Sequence, residues 1–154
     1  MNDADLDGLT IVGAAKLLRQ RRLSPVELAE GTLARIERLQ PRLGAFITVT
    51  ADLALAQARR AETEIGAGGW KGPLHGIPVS VKDLYCTAGI RTTAGSIILR
   101  DHVPDFDAPS VARLAAAGAV LVGKTNLHEW ACGVTNDNPF FGRCNNPWRE
   151  GYIP

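Results

Sequence analysis

Two short apolar runs, IPVSV (77–81) and AVLV (119–122), flank a segment that ends in the helically spaced APSVARLAAAG (108–118). This strand, crossover helix, strand order constrains the chain more than any other feature. Such a crossover is right-handed and sets its two strands parallel in one sheet. The fold class is therefore α/β, with IPVSV expected as a buried strand leading into Lys82-Asp83.

The remaining segments supply helices to layer around that sheet. Thr10 opens TIVGAAKLLRQRR, an amphipathic helix with basic residues in its last turn, where the helix dipole favours them. In SPVELAEGTLARIERLQP, Ser24 is placed to cap a helix, Pro25 suits its first turn and Glu27 completes a capping box. Val26, Ala29, Leu33 and Ile36 share one face of that helix, and Pro41 is expected to end it. AFITVT (45–50) reads as a strand and 51–65 as an alanine-rich helix. Residues 66–76 form a glycine-rich turn, and 83–107 are long and irregular.

GAVLVGKT (118–125) matches G-x-x-x-x-G-K-[ST], the phosphate-binding loop pattern. Its context argues against that role. A phosphate loop follows a strand and turns tightly, so that backbone N–H groups face the phosphates. Here Gly118 follows a helix, and the four residues before Gly123 are apolar and suited to a buried strand. Gly118 reads as a helix stop, Lys124 as a strand end, and Thr125 as the cap of a short helix carrying His128 and Glu129 on the surface.

The 154 residues carry a formal net charge of +1, so no basic face for nucleic acid is evident. No apolar run approaches the length of a membrane span, and MNDADLDGLT lacks the build of a signal peptide. Cys86, Cys132 and Cys144 include no CxxC pair and read as reduced thiols of a cytoplasmic protein. His75, His102 and His128 do not join them at metal-ligand spacing, so no zinc site is expected.

Lys82 is the candidate catalytic residue. Active sites of α/β proteins collect at the carboxyl ends of parallel strands, where a lysine can lose solvation and act as a base. The alternatives are a lysine that keeps its ammonium in water, or one paired with Asp83. Ser80 shares its strand face with Lys82.

Three blocks resemble a known family. GPLHGIPVSVKDLYCTAGIRTTAGS (72–96) resembles the first signature block of the amidase signature family, and GAVLVGKTNLHEWACG (118–133) resembles the second. NPFFGRCNNPW (138–148) resembles the lead-in to the family's Gly/Ser-rich motif. The resemblance implies a mixed β-sheet core flanked by helices, with 1–154 as the N-terminal part of one domain: helices to about 65, then strands and the lysine-bearing block. It implies hydrolysis of a small-molecule amide, or transfer of its ammonia, by a Ser–cis-Ser–Lys triad with Lys82 as the lysine. It implies no cofactor, and it places Gly133, Val134 and Thr135 on the substrate side, a position that a plain structural turn also explains.

Both family serines and the oxyanion hole belong to sequence that follows a stretch like NPWREGYIP, and Ser80, Ser96 and Ser110 match neither serine position. The chain alone is therefore expected to be inactive, with a non-catalytic interaction piece as the alternative reading. A sheet without later strands is also expected to leave an open edge, through which copies of the chain could associate.

Overall fold

The computed structural model describes residues 3–149 and 151–154. Five helices are α1 (Asp3–Asp7), α2 (Ile11–Arg19), α3 (Pro25–Leu43), α4 (Ala51–Gly66) and α5 (Pro109–Ala116). The strands are β1 (Phe46–Val49), β2 (Pro78–Lys82), β3 (Val120–Thr125), β4 (Asp137–Asn138) and β5 (Gly142–Arg143). Two compact units form, one from Met1–Glu37, Thr50–Val79 and Arg113–Val122, the other from Arg38–Val49, Ser80–Ala112 and Gly123–Pro154.

The first unit is built on local signals that the sequence carries openly. Thr10 caps α2 by accepting the Gly13 N–H at 3.0 Å. Ser24 Oγ accepts from the N–H groups of Val26 and Glu27, while Glu27 accepts the Ser24 N–H at 3.1 Å, which completes the capping box of α3. Along α4, Ala54, Ala58, Ala61 and Ile65 are buried at helical spacing. Ala14, Leu18, Leu28 and Ile77 make an apolar cluster with Leu6, Leu9, Leu23, Trp70 and Val79 packed around it.

Pro41 does not end α3; it lies in the last turn, and the Gly44 N–H closes the helix on the Gln40 carbonyl. A proline there costs little, because the disrupted bond falls in a turn that frays. On the face expected to be buried, Ala29 is fully enclosed while Val26, Leu33 and Ile36 are half-buried; Pro25, Leu28 and Gly31 share the interior.

The sheet has the order β1-β3-β2. β1 runs antiparallel to β3, with Phe46 opposite Thr125 and Val49 opposite Gly123. The Ile77 carbonyl accepts the Val120 N–H, and the Asp83 N–H donates to the Thr125 carbonyl. The partners of β2 thus advance along β3 in the same direction, as expected of a crossover connection, and the sheet is mixed. β2 is an edge strand that starts on Pro78, where a missing N–H is tolerated. It is not the buried strand expected: only Val81 is buried, and Ser80 and Lys82 face solvent. β3 is longer than expected and buried through Lys124, because it lies between two other strands.

The phosphate-loop pattern dissolves into this architecture. Gly118 stops the helical segment with φ +77°, and its N–H returns to the Ala115 carbonyl. A Cβ at Gly118 would overlap the His75 ring, so the glycine seats a histidine rather than a phosphate.

Candidate functional site

The second unit gathers Lys82, the 92–96 turn, Lys124 and the 126–138 loop. Lys82 is the last residue of β2 and is exposed, and among the described residues no side chain bonds or ion-pairs with it. Its carbonyl accepts the Tyr85 N–H, which turns the chain and leaves Leu84 and Tyr85 exposed.

Asp83 does not pair with Lys82. Successive side chains of a strand point to opposite faces, so Asp83 enters the interior where Lys82 leaves it. Asp83 and Lys124 are both 0% exposed and stand 3.4 Å apart, Nζ to Oδ1. Asp83 Oδ1 makes no aligned hydrogen bond, so this contact is charge against charge. The other oxygen, Oδ2, accepts from Thr93 twice, from N–H at 2.9 Å and from Oγ1 at 2.5 Å. Lys124 Nζ donates to Thr92 Oγ1 at 2.6 Å and to the Tyr85 carbonyl at 2.8 Å. Burial lowers the pKa of Lys124 below that of an ordinary lysine, and the Asp83 carboxylate opposes that shift.

From Asp83 the network continues into the loops. Thr93 Oγ1 accepts the Gly95 N–H at 3.0 Å. Asn138 Nδ2 donates to the Gly95 carbonyl at 2.7 Å and the Leu127 carbonyl at 2.9 Å, while its Oδ1 accepts from Phe140 and Phe141. Ser96 is buried and donates to Glu129 at 2.7 Å. Ala94, at φ +53°, accepts the Trp130 N–H, and Trp130 and Ala131 themselves have positive φ. Such left-handed non-glycine residues persist where surrounding contacts over-determine them, and they cluster at functional sites.

Gly133, Val134 and Thr135 lie exposed just beyond the short 3-10 helix Glu129–Ala131. No hydrogen bond joins them to Lys82. A Cβ at Gly133 would overlap the His128 ring, so a glycine is required for that approach. His128 and Glu129 are half-buried rather than on the surface, and Thr125 ends β3 instead of capping a helix; the residue preceding the 3-10 helix is His128. His128 Nδ1 and Asn136 Oδ1 are buried without a hydrogen-bond partner. Among the described residues no group of three or more His, Cys, Asp or Glu is placed to hold a metal.

Sequence reasoning missed the Asp83–Lys124 pair and the Asn138 hub. For Lys124 a signal existed: Thr125 is β-branched and can extend a strand, which carries Lys124 into the interior. For Asn138 the signal covered only half of its role: Asn before proline marks the local turn that its Oδ1 closes, while the two carbonyls bound by Nδ2 come from distant segments.

The chain matches a family model described as Amidase over residues 27–154. It is 47% identical to a glutamyl-tRNA(Gln) amidotransferase subunit from Methylococcus capsulatus over 94% of its own length, and 48% identical to the corresponding protein of Geotalea daltonii over 97%. It spans only 30% and 31% of those relatives. Among solved structures, the native peptide amidase of Stenotrophomonas maltophilia superposes with a TM-score of 0.85 at 36% identity, covering 93% of this chain and 31% of that one. A bacterial aryl acylamidase of the amidase signature family gives 0.88 at 28% identity, covering 94% and 30%.

Proposed function

The chain belongs to the amidase signature family, and on that premise we propose that Lys82 is the base-side lysine of a Ser–cis-Ser–Lys triad that cleaves a carbon–nitrogen amide bond. The observation that carries this reading is the setting of Lys82: the carboxyl end of a parallel strand, open to solvent, with the adjacent carboxylate committed elsewhere. A lysine without a counter-charge can give up its proton more readily than a paired one, as a base must. Lys82 then takes, through a bridging serine, the proton of a nucleophilic serine. Both serines come in this reading from a Gly/Ser-rich segment of the kind that family members carry after a stretch like NPWREGYIP. Ser96 is not the nucleophile, since it is buried and bonded to Glu129. Gly133, Val134 and Thr135 border the amide substrate.

The relatives named as glutamyl-tRNA(Gln) amidotransferase subunits support glutamine as amide donor and work within a protein assembly. The test is ammonia release from glutamine and from simple primary amides by the longest natural form of the protein. Lys82→Ala lowers kcat by at least about a thousand-fold, the scale of losing a triad member. Activity close to that of the unaltered protein in Lys82→Ala rejects Lys82 as the base.

A further inference from the structure

Two lysines stand at the same end of neighbouring strands, and their surroundings are opposite. Lys82 ends β2 in solvent with no side-chain partner among the described residues, whereas Lys124 is enclosed in β3 and holds three oxygens. The residue between them in charge is Asp83, next to Lys82 in sequence yet turned toward Lys124. We propose that Lys124 is a positioning residue for Lys82: by holding the Asp83 carboxylate in a buried pair, it leaves the neighbouring lysine without a counter-charge.

This rests on the reading of Lys82 as the base, but its geometry stands alone. A carboxylate that loses its cation leaves a net negative field at its neighbours, and Lys82 is the next residue in the chain although its side chain points to the opposite face. Thr93 anchors Asp83 from the other side through two bonds, so the carboxylate does not drift. The other charged groups near the strand end are bound elsewhere. Arg91 donates to Ile47 O and Thr48 and lies over the Phe141 ring. Asp107 accepts the Ala88 N–H, and Glu129 accepts from Ser96. Asp107 adds a weaker negative field at Lys124, β1 contributes no titratable side chain, and Lys124 is the one cation against Asp83 among the described residues. No other described group is placed to take over its role.

The test is competitive acetylation of the folded protein with acetic anhydride, read lysine by lysine by mass spectrometry, with exposed Lys16 as internal standard. Only the neutral amine reacts. Lys124→Gln removes the charge while keeping a donor toward Thr92 and Tyr85, and it slows labelling of Lys82 about tenfold relative to Lys16, as expected for one newly uncompensated carboxylate. Lys124→Arg, which keeps the charge, leaves Lys82 labelling as in the unaltered protein. Unchanged Lys82 labelling in folded Lys124→Gln overturns the proposal. A second measurement needs no variant. The nitrogen-15 spectrum of labelled lysines shows a slowly exchanging ammonium with contacts to Thr92, while Lys82 exchanges freely; a protected Lys82 ammonium beside Asp83 overturns the proposal equally. Retained amide hydrolysis in Lys82→Ala would remove the base reading and leave the labelling result standing.

Discussion

The two units are held together by different physics. Among the described residues, the interior of the first is apolar: Ala14, Leu18, Leu28, Ala58, Ile65, Val120 and Leu121 are buried, and His75 is its one buried polar side chain. The interior of the second is mostly polar. Asp83, Thr87, Thr92, Thr93, Ser96, Lys124, Asn126 and Asn138 are buried there, against Val81, Ala94, Val111 and Leu127 as apolar neighbours. Apolar burial is non-directional and tolerates neighbours of similar volume. A buried hydrogen-bond network is directional; satisfied, it specifies one arrangement, and broken, it leaves groups that cannot reach water. The unit that positions Lys82 uses the second strategy.

That contrast can be tested by paired substitutions under chemical denaturation. Leu18→Ala leaves a cavity in the first unit and costs about 3 kcal/mol, whereas Leu18→Met costs less than about 1.5 kcal/mol because volume is kept. Asn138→Ala unsatisfies four backbone groups of the second unit and costs about 2 kcal/mol, and Asn138→Leu, which restores volume without donors, recovers little of it. If Asn138→Leu were as mild as Leu18→Met, the distinction between the two interiors would collapse.

The smallest effect sharpens the comparison at the surface of the first unit. Glu64 accepts from Lys71 at 2.6 Å and Arg60 at 2.9 Å, and lies 3.0 Å from His75 Nε2. His75 Nδ1 accepts the Lys71 N–H, so Nε2 carries the proton toward Glu64. Lys71 chiefly, then Arg60, holds the Glu64 carboxyl down to about 2, against an ordinary 4.5. Its stabilisation is present in full above the ordinary value and is lost as pH falls through about 2. Glu64→Gln therefore flattens the loss of stability between those two values and lowers neutral-pH stability by the same small amount, since partly exposed pairs contribute little. An unaltered acid limb in Glu64→Gln would show that the cluster contributes nothing by this route.

Much of the first unit was legible because its signals are local. Thr10, Ser24 with Glu27, and Gly118 act within one turn of chain, and their effect does not depend on the rest of the fold. Exclusion of a phosphate loop was legible for the same reason: a helix before the glycine and branched residues after it are incompatible with that turn. Pro41 misled because a proline in the last turn forfeits only a fraying bond.

The sequence by itself determined helices α2 to α5 with the caps at Thr10 and Ser24, the parallel β2–β3 crossover, the blocks that mark the family and the position of Lys82 at a strand end. Only the tertiary structure decided that β2 is an edge strand, that Lys124 rather than Lys82 takes Asp83, and that Asn138 ties residue 95 to residue 127. The reason is the range of the interactions. Caps and breakers act over three or four residues, whereas burial of a lysine depends on which strands flank its own and which distant oxygens meet its ammonium.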